Sequence, residues 1–531
     1  MLLDLVATCF ARLTSSSRAA PPPSCNDERP DRSQAPAAIE RLGHPAQGLG
    51  APPAGAADGA RQPVRSYFTH ATLPGRGKSR LGSRSRIPHI AGAVFLVLAS
   101  NLPLQCQTAD SPAAVQLPSL FDPLNSRLPD WIRFSGEFRD RAEGRSAFAF
   151  TPDTADGYDL TRLRLNFELT PTEWLSFLVQ VQDAEAPGID SSRLNSTLKD
   201  AFDLRLAYAE VNAGPGERYR LRVGRQELDF GARRLVGSSD WSNTAHAFDA
   251  VRFTLALSRA QIDVFAAAPV QIHMTAFDTA QPGVNLYGIY ASFAKAPRHA
   301  AFEPYIFWKT SPRVKPPAGS AGDEDLFALG FRWARTPTSS GRFDYQVEMV
   351  RETGHYSTDD IAAWAGYGIA GYRFAEFPFQ PRFSLEYDYA SGNPRPGGRM
   401  TGTFDQLYPA HHAYYGVADQ VGWRNIRALR TGVDFETHRN IKMGFDYYLF
   451  RLASPYDGLY DCTGFLVVKA PVKGALHTDV GQEADFTLTH EFARNLEWGA
   501  GFARLFPGRF LKQYSPGSGV SYPYLFTTYH F

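Results

Sequence analysis

Residues 220–253 read RLRVGRQELDFGARRLVGSSDWSNTAHAFDAVRF, and the two ends of this stretch decide the fold. Tyr219, Leu221 and Val223 alternate with Arg220, Arg222 and Gly224. Val251, Phe253 and Leu255 alternate with Arg252 and Thr254. A period of two with apolar residues on one side and arginines on the other is a strand with one greasy and one charged face. A long polar connection holding Gly231 and Gly237 joins the two strands. A soluble barrel would bury the greasy face. A membrane barrel turns it to lipid and sets the arginines around a lumen.

The same texture runs from Trp131 to the last residue. Ile132, Phe134 and Phe138 alternate with Arg133, Ser135, Glu137 and Arg139. Leu163, Leu165 and Phe167 alternate with Arg162, Arg164 and Asn166, and Phe383, Leu385 and Tyr387 with Arg382, Ser384 and Glu386. Helical periodicity is nowhere sustained. Some connections are tight, such as 170–173 and 212–217; others are long and polar, such as 183–200 and 391–425. Short turns at one end and long loops at the other are the pattern of outer-membrane barrels. About 400 residues in strands of about ten give an even count of about 16–18. Aromatics gather at strand ends (Trp131, Trp174, Tyr219, Trp308, Trp333, Tyr372, Trp498), as an interfacial girdle requires. The expected fold class is therefore all-β: an antiparallel transmembrane β-barrel.

The 531 residues carry net charge +1, but the charge is unevenly placed. Residues 1–109 hold 12 basic against six acidic groups, which leaves the remainder at net −5. No run of about 18 apolar residues exists, so membrane-spanning helices are excluded. Residues 1–79 are rich in Pro, Ala, Gly, Ser and Arg without periodicity; they read as a disordered leader, or as a stretch upstream of the true start. Residues 80–109 read as a secretory signal, with arginines up to Arg86, an apolar run from Ile90 to Leu104 and a cleavage point after Ala109. Cys106 offers a lipoprotein alternative, which the bulky Gln105 before it disfavours. Residues 110–128 read as a short periplasmic segment and 129–531 as the barrel. Beyond the leader only Cys462 remains, so neither a disulfide scaffold nor a cysteine metal cluster is available.

The chain ends SYPYLFTTYHF, with Leu525, Thr527, Tyr529 and Phe531 on one face. A terminal aromatic with period-two residues behind it resembles the strand that the outer-membrane β-barrel assembly machinery recognises. An ordinary edge strand is the alternative.

The inward face is rich in arginine: Arg133, Arg139, Arg162, Arg164, Arg220, Arg222, Arg252 and Arg382, with Arg225 assigned to the same path. Arginine offers bidentate recognition of carboxylates, so these residues could filter an anionic polymer. Glu137, Glu168, Glu210, Asp344, Glu386 and Asp388 share that face, and the alternative is a ladder of salt bridges. No G-x-S-x-G, H-E-x-x-H or P-loop motif occurs. Ser238, Ser239, Asp240 and His246 share one loop, and His411, His412 and Asp419 another; loops of this size hold such residues by chance. No catalytic residue, metal, cofactor or nucleic-acid partner is expected.

The block from Gly224 to Asp249, with GRQEL, RRLVG and WSNTAHAFDAV, resembles the alginate-export family of outer-membrane β-barrels. TFDQLYPAHHAYYGVADQVGWRNI (403–426), GQEADFTLTHEF (481–492) and LFPGRFLK (505–512) extend the resemblance over about 129–531. It implies a monomeric barrel of about eighteen strands in the bacterial outer membrane. It also implies an arginine-lined lumen that passes an anionic polysaccharide, with room for a periplasmic scaffold as partner. Carried over position by position, Arg225, Gln226, Arg234, Trp241, Asn243 and Asp249 match the first block. Asp405, Tyr408, His411, Asp419, Trp423 and Asn425 match the second. His246 and Ala250 stand where that block carries Arg and Gly. A general or differently selective porin is the runner-up; an outer-membrane enzyme or adhesin is a third reading.

Overall fold

Ile132–Ser146 (β1) and Ala155–Thr172 (β2) pair antiparallel from Ile132↔Leu169 to Ser146↔Ala155. Their alternation turns Arg139, Arg141, Arg162 and Arg164 inward, all buried, while Leu163 faces out. The computed structural model describes residues 116–531 except 297–299, 315–321, 336–341, 396, 413 and 438–439. The leader and export signal lie outside the described residues.

The hairpin pattern repeats through Leu175–Glu185 (β3), Asp200–Ala213 (β4), Tyr219–Gln226 (β5), Phe248–Ala256 (β6) and Gln261–Gln271 (β7). It continues through Asn285–Ala296 (β8), Ala300–Val314 (β9), Gly322–Arg335 (β10), Phe343–Tyr356 (β11), Asp359–Arg373 (β12) and Arg382–Ala390 (β13). Ile426–Glu436 (β14), Ile441–Leu452 (β15), Asp479–Ala493 (β16), Leu496–Pro507 (β17) and Ser521–His530 (β18) complete it. β18 pairs back onto β1, from Glu137↔His530 to Glu143↔Tyr524. Among the described residues, eighteen antiparallel strands thus form a closed barrel. Closure matters because a free strand edge in lipid would leave backbone groups without partners, each costing several kcal/mol.

The two faces are inverted relative to a soluble protein. Outward Leu329 is 62% exposed, whereas inward Glu352 is 0% exposed. Met349, Phe383, Leu385, Tyr387, Phe445 and Leu449 continue the outward apolar band. Such a surface is stable only against hydrocarbon. The expected class, an all-β transmembrane barrel, is the observed one, and the count falls at the upper end of the expected range.

Both ends of the barrel strand series meet at the short-turn end. A single turn of helix, Asp122–Asn125 (α1), precedes β1. Asn125 exchanges hydrogen bonds with the Phe134 backbone at 2.8 and 2.9 Å. Phe121 lies 5.5 Å from the Phe531 ring, and Phe531 exchanges backbone hydrogen bonds with Gly136. At the opposite end, the β17–β18 loop carries a short helix, Arg509–Tyr514 (α2), which the strand-only reading did not anticipate. Phe510 and Leu511 turn its apolar side inward.

Candidate functional site

Two loops from the long-loop end fold into the lumen. One joins β5 to β6 (227–247); the other joins β13 to β14 (391–425). They pair with each other. Val236 and Tyr408 form an isolated parallel bridge, and Tyr408 N–H donates to the Leu235 carbonyl at 2.8 Å. Gly237 N–H donates to the Tyr408 carbonyl, and Ala410 N–H to the Arg233 carbonyl, each at 2.8 Å. These bonds satisfy loop backbone that leaves water. Phe230 supports the pair by stacking on Phe265 and Tyr290 at 5.1 and 5.0 Å.

The β5–β6 loop touches opposite walls. On one side Asp240 meets β2: Arg164 donates to its carboxylate at 2.6 Å and Arg162 at 3.3 Å. Burial alone would raise the Asp240 carboxyl, but Arg164, Arg162 and Arg139 together hold it well below the usual carboxylate range. Arg139 also donates to the Asp240 and Trp241 carbonyls at 2.9 and 3.2 Å. Trp241 is covered by the Arg141 guanidinium at 4.1 Å and by the His412 ring at 4.1 Å. On the other side Arg234 donates to Asp388 at 2.8 Å and also pairs with Glu386, both on β13. Tyr367 and Tyr414 lie 3.7 and 3.9 Å from its guanidinium carbon.

The second loop is held by charge as well. Lys309 on β9 donates to Asp405 at 2.8 Å and lies 3.2 Å from Glu324. Asp405 N–H donates to Glu352 at 2.9 Å. Desolvation would raise Asp405, but Lys309 and Arg424 hold its carboxyl below the usual carboxylate range. The backbone N–H groups of Val417 and Ala418 donate to Asp485 and Glu483 on β16.

Several residues singled out in the two blocks prove to be pins of the loop backbone. Asn243 is fully buried, and its amide donates to the carbonyls of Thr161, Glu185 and Leu198 at 2.9–3.1 Å. Asn425 donates to the Ser454 and Gly458 carbonyls and accepts from Ser454 N–H. Gln226 donates to the Ala250 carbonyl at 3.0 Å. The buried Trp423 indole donates to the Tyr389 carbonyl at 3.1 Å. Asp419 faces His412 at 3.1 Å, and His411 packs edge-on against His246 with centroids 4.9 Å apart.

Arg162, Arg220, Arg222, Arg252 and Arg382 on the wall are paired with carboxylates. Arg162 meets Glu137 at 2.6 Å, Arg222 meets Glu210 at 2.7 Å, and Arg220 lies 3.6 Å from the same Glu210. Arg252 meets Asp263 at 2.9 Å; Arg382 meets Asp344 and Asp434 at 2.7 and 2.9 Å. Arg133 stands exposed near the short-turn end of β1.

The assignment of Arg225 to the lumen is corrected. The register sets it opposite Asp249, on the outward face it shares with Val223 and Val251. It pairs with Asp249 at 2.8 Å and donates to the Leu204 and Asp278 carbonyls. It sits at the last turn of β5, where strand alternation outranks the charge of the side chain.

Among the described residues, the loop serines and His246 bond backbone and loop groups. Ser238 bonds Asp229 through its backbone at 2.7 Å and its hydroxyl at 3.2 Å. Ser239 accepts from His411 N–H, and His246 Nδ1 lies 3.1 Å from the Gly237 carbonyl. Asp200, Asp203 and Asp278 bring carboxylate oxygens within 4.8 Å of one another, but Asp203 accepts from the backbone N–H of Leu204 and Asp278, and Asp278 from that of His273.

Between the loops and the short-turn end lies a cavity of about 800 Å³. Arg139, Arg162, Asp240, Trp241, Arg234, Tyr414 and Tyr367 line it, and it reaches Glu497, Thr528 and His530. It combines guanidinium groups, carboxylates and aromatic faces, a lining suited to a hydroxylated or charged solute.

The family model for alginate export matches residues 130–522. The chain belongs to the alginate export family. No curated protein sequence matches it. Among solved structures, this family member is similar to Pseudomonas aeruginosa OccK8 (OprE), with TM-score 0.51 and 10% identity, over 76% of this chain and 98% of that one. OccK3 (OpdO) of the same organism gives TM-score 0.50 and 12% identity over 76% and 97%. Acinetobacter baumannii OccAB4 gives TM-score 0.50 and 10% identity over 75% and 98%. At these identities the likeness is one of fold. Family, barrel and outward apolar band together place the protein in the bacterial outer membrane as a pore.

The sequence reading missed the structural weight of Asp240, Lys309, Tyr367 and Glu483. A lone acid in a polar loop carries no periodic signal, and Lys309 is one charge among many on a strand. Only the fold of the loops brings them to their partners.

Proposed function

We propose that this barrel passes a carboxylate-bearing saccharide, or a related hydrophilic solute, across the outer membrane and performs no chemistry on it. The single observation that carries this reading is the 800 Å³ cavity, lined beneath the two loops by Arg139, Arg162 and Arg234 and by the rings of Trp241, Tyr367 and Tyr414. Guanidinium groups suit uronate carboxylates, and Trp and Tyr faces suit sugar rings. Membrane lipid surrounds the outward band; the barrel assembly machinery and a periplasmic scaffold are the partners this reading assigns.

A second reading, a porin of different selectivity, is favoured by the pairing of Arg222, Arg252 and Arg382 with carboxylates, which cancels much of the lumenal charge. Reversal potentials and current block in planar bilayers separate the two. An anion-selective current blocked by oligouronates supports the first. Cation selectivity, or indifference to oligouronates, removes it and leaves the second.

A further inference from the structure

On the lipid-facing side of β14 and β15 the register stacks five outward rows. Phe435 stands opposite Met443, Val433 opposite Phe445, Thr431 opposite Tyr447, Leu429 opposite Leu449, and Arg427 opposite Arg451. Each row adds two residues, or about 5 Å of height at a strand tilt of about 40°, so the arginines stand about 20 Å above Met443. The apolar band of such a barrel is about 25 Å tall. The arginine row therefore crowns the band at the long-loop end, level with the headgroups of the outer leaflet. Like charges set directly opposite each other repel. Both side chains are exposed, and among the described residues neither forms an ion pair. Arg427 donates to the Ala453 carbonyl at 3.3 Å and lies 5.8 Å from the Tyr389 ring. On β16 the register partner of Arg451 is Asp479, but that carboxylate accepts from the Arg509 N–H at 3.4 Å. The short-turn end differs, since Arg342 pairs with Glu376 at 2.5 Å and Lys442 with Glu491 at 2.8 Å. Beside the arginines Tyr389 stacks on Trp364 at 4.2 Å, as an interfacial girdle does. In the two loops at this rim, 391–425 and 453–478, every exposed charge among the described residues is a cation: Arg395, Arg399, Lys469 and Lys473. Their acids Asp405 and Asp457 are buried, and Asp419 and Asp461 half-buried.

We propose that Arg427 and Arg451 bind a phosphate of lipid A, the phosphorylated glucosamine headgroup of the outer leaflet, against the Tyr389–Trp364 girdle. A guanidinium offers a planar pair of donors that matches phosphate geometry. One phosphate between the opposed arginines turns their repulsion into two charge-assisted contacts. The Tyr389 face suits the glucosamine ring, and the apolar rows from Leu429 and Leu449 downwards suit the acyl chains. The loop cations then face the negative surface of the leaflet rather than one another. This site lies outside the lumen, so it is independent of the cargo.

The test titrates the purified full-length barrel in detergent with bisphosphorylated lipid A, with its dephosphorylated form and with phosphatidylglycerol, and reads bound lipid by native mass spectrometry. Wild type should hold bisphosphorylated lipid A at least about tenfold more tightly than the dephosphorylated form, as expected for charge-assisted contacts to two guanidinium groups. Arg427→Gln combined with Arg451→Gln should erase that preference, and Lys442→Gln at the short-turn end should leave it intact. Equal affinity for the two forms of lipid A, or a preference that survives the double variant, overturns the proposal. So does a preference lost equally in Lys442→Gln, which would mark a general effect of charge. Phosphatidylglycerol bound as tightly as lipid A would assign an unselective phospholipid contact, and displacement of lipid A by inorganic phosphate a free-anion site; either result overturns the proposal. Heat modifiability reports folding of each variant. Should the double variant fail to assemble, Arg451→Gln alone should lower the preference several-fold, and an unaltered preference in that variant is equally fatal.

Discussion

Arg234 enters on the β5–β6 loop and donates to Asp388 on the opposing wall at 2.8 Å, with the two side chains only 4% and 3% exposed. The loop is thus tied across the lumen, since Asp240 holds its other end to β2. An ion pair this buried contributes most when it is broken on one side only, because the remaining charge is then stranded.

Arg234→Gln strands Asp388 and Glu386 beside Arg430. It should destabilise the docked loop by about 3–5 kcal/mol and raise single-channel conductance and current noise. An unchanged conductance would mean that the Asp240 contact with β2 and the backbone pairing of Leu235 with Tyr408 hold the loop without Arg234.

Acid should loosen the same loops through His411. Burial, and then its neighbour His246, push the His411 imidazole down to about 3, against 6.5 when hydrated. The released loop therefore binds the proton more readily than the docked one. Docking is intact above about pH 6.5 and weakens as pH falls from there towards 3. Conductance should rise over that window, and His411→Gln should flatten the rise. A pH response that survives His411→Gln assigns the effect elsewhere.

The paired wall arginines can be probed by charge. Arg252→Glu sets a second carboxylate beside Asp263 and should lower the anion-to-cation permeability ratio several-fold if Arg252 helps select the cargo. A ratio equal to wild type, with the barrel intact, would leave Arg252 as a brace only.

Closure of the barrel depends on space at Gly136. A Cβ there would lie 2.4 Å from the Phe531 ring, whereas a Cβ at Gly368 meets nothing within 4 Å. Gly136→Val should sharply reduce the heat-modifiable, folded fraction in outer-membrane preparations, while Gly368→Ala should leave it near wild type. Equal yields would show that the terminal ring can seat elsewhere.

The barrel itself was legible because strand alternation is local. Each residue's face follows from its neighbours two positions away, and eighteen repeats of one rule leave little else to build. The rule even decides Arg225, whose parity with Leu221 and Val223 sets it outward; grouping it by charge with the lumenal arginines overrode a signal already present. The blocks around Asn243 and Asn425 were visible as resemblance, but their task as backbone pins was not, because their partners lie tens of residues away.

By itself, then, the sequence determined the class of fold, the greasy and the charged face of each strand, and the family. The tertiary structure alone decided what the inward charges do. Which acid pairs with which arginine, how two loops meet at Val236 and Tyr408, and that Asp240 and Arg234 reach opposite walls are all contacts between distant segments. Such contacts follow from the curvature and closure of the barrel, and no periodicity in the chain encodes them.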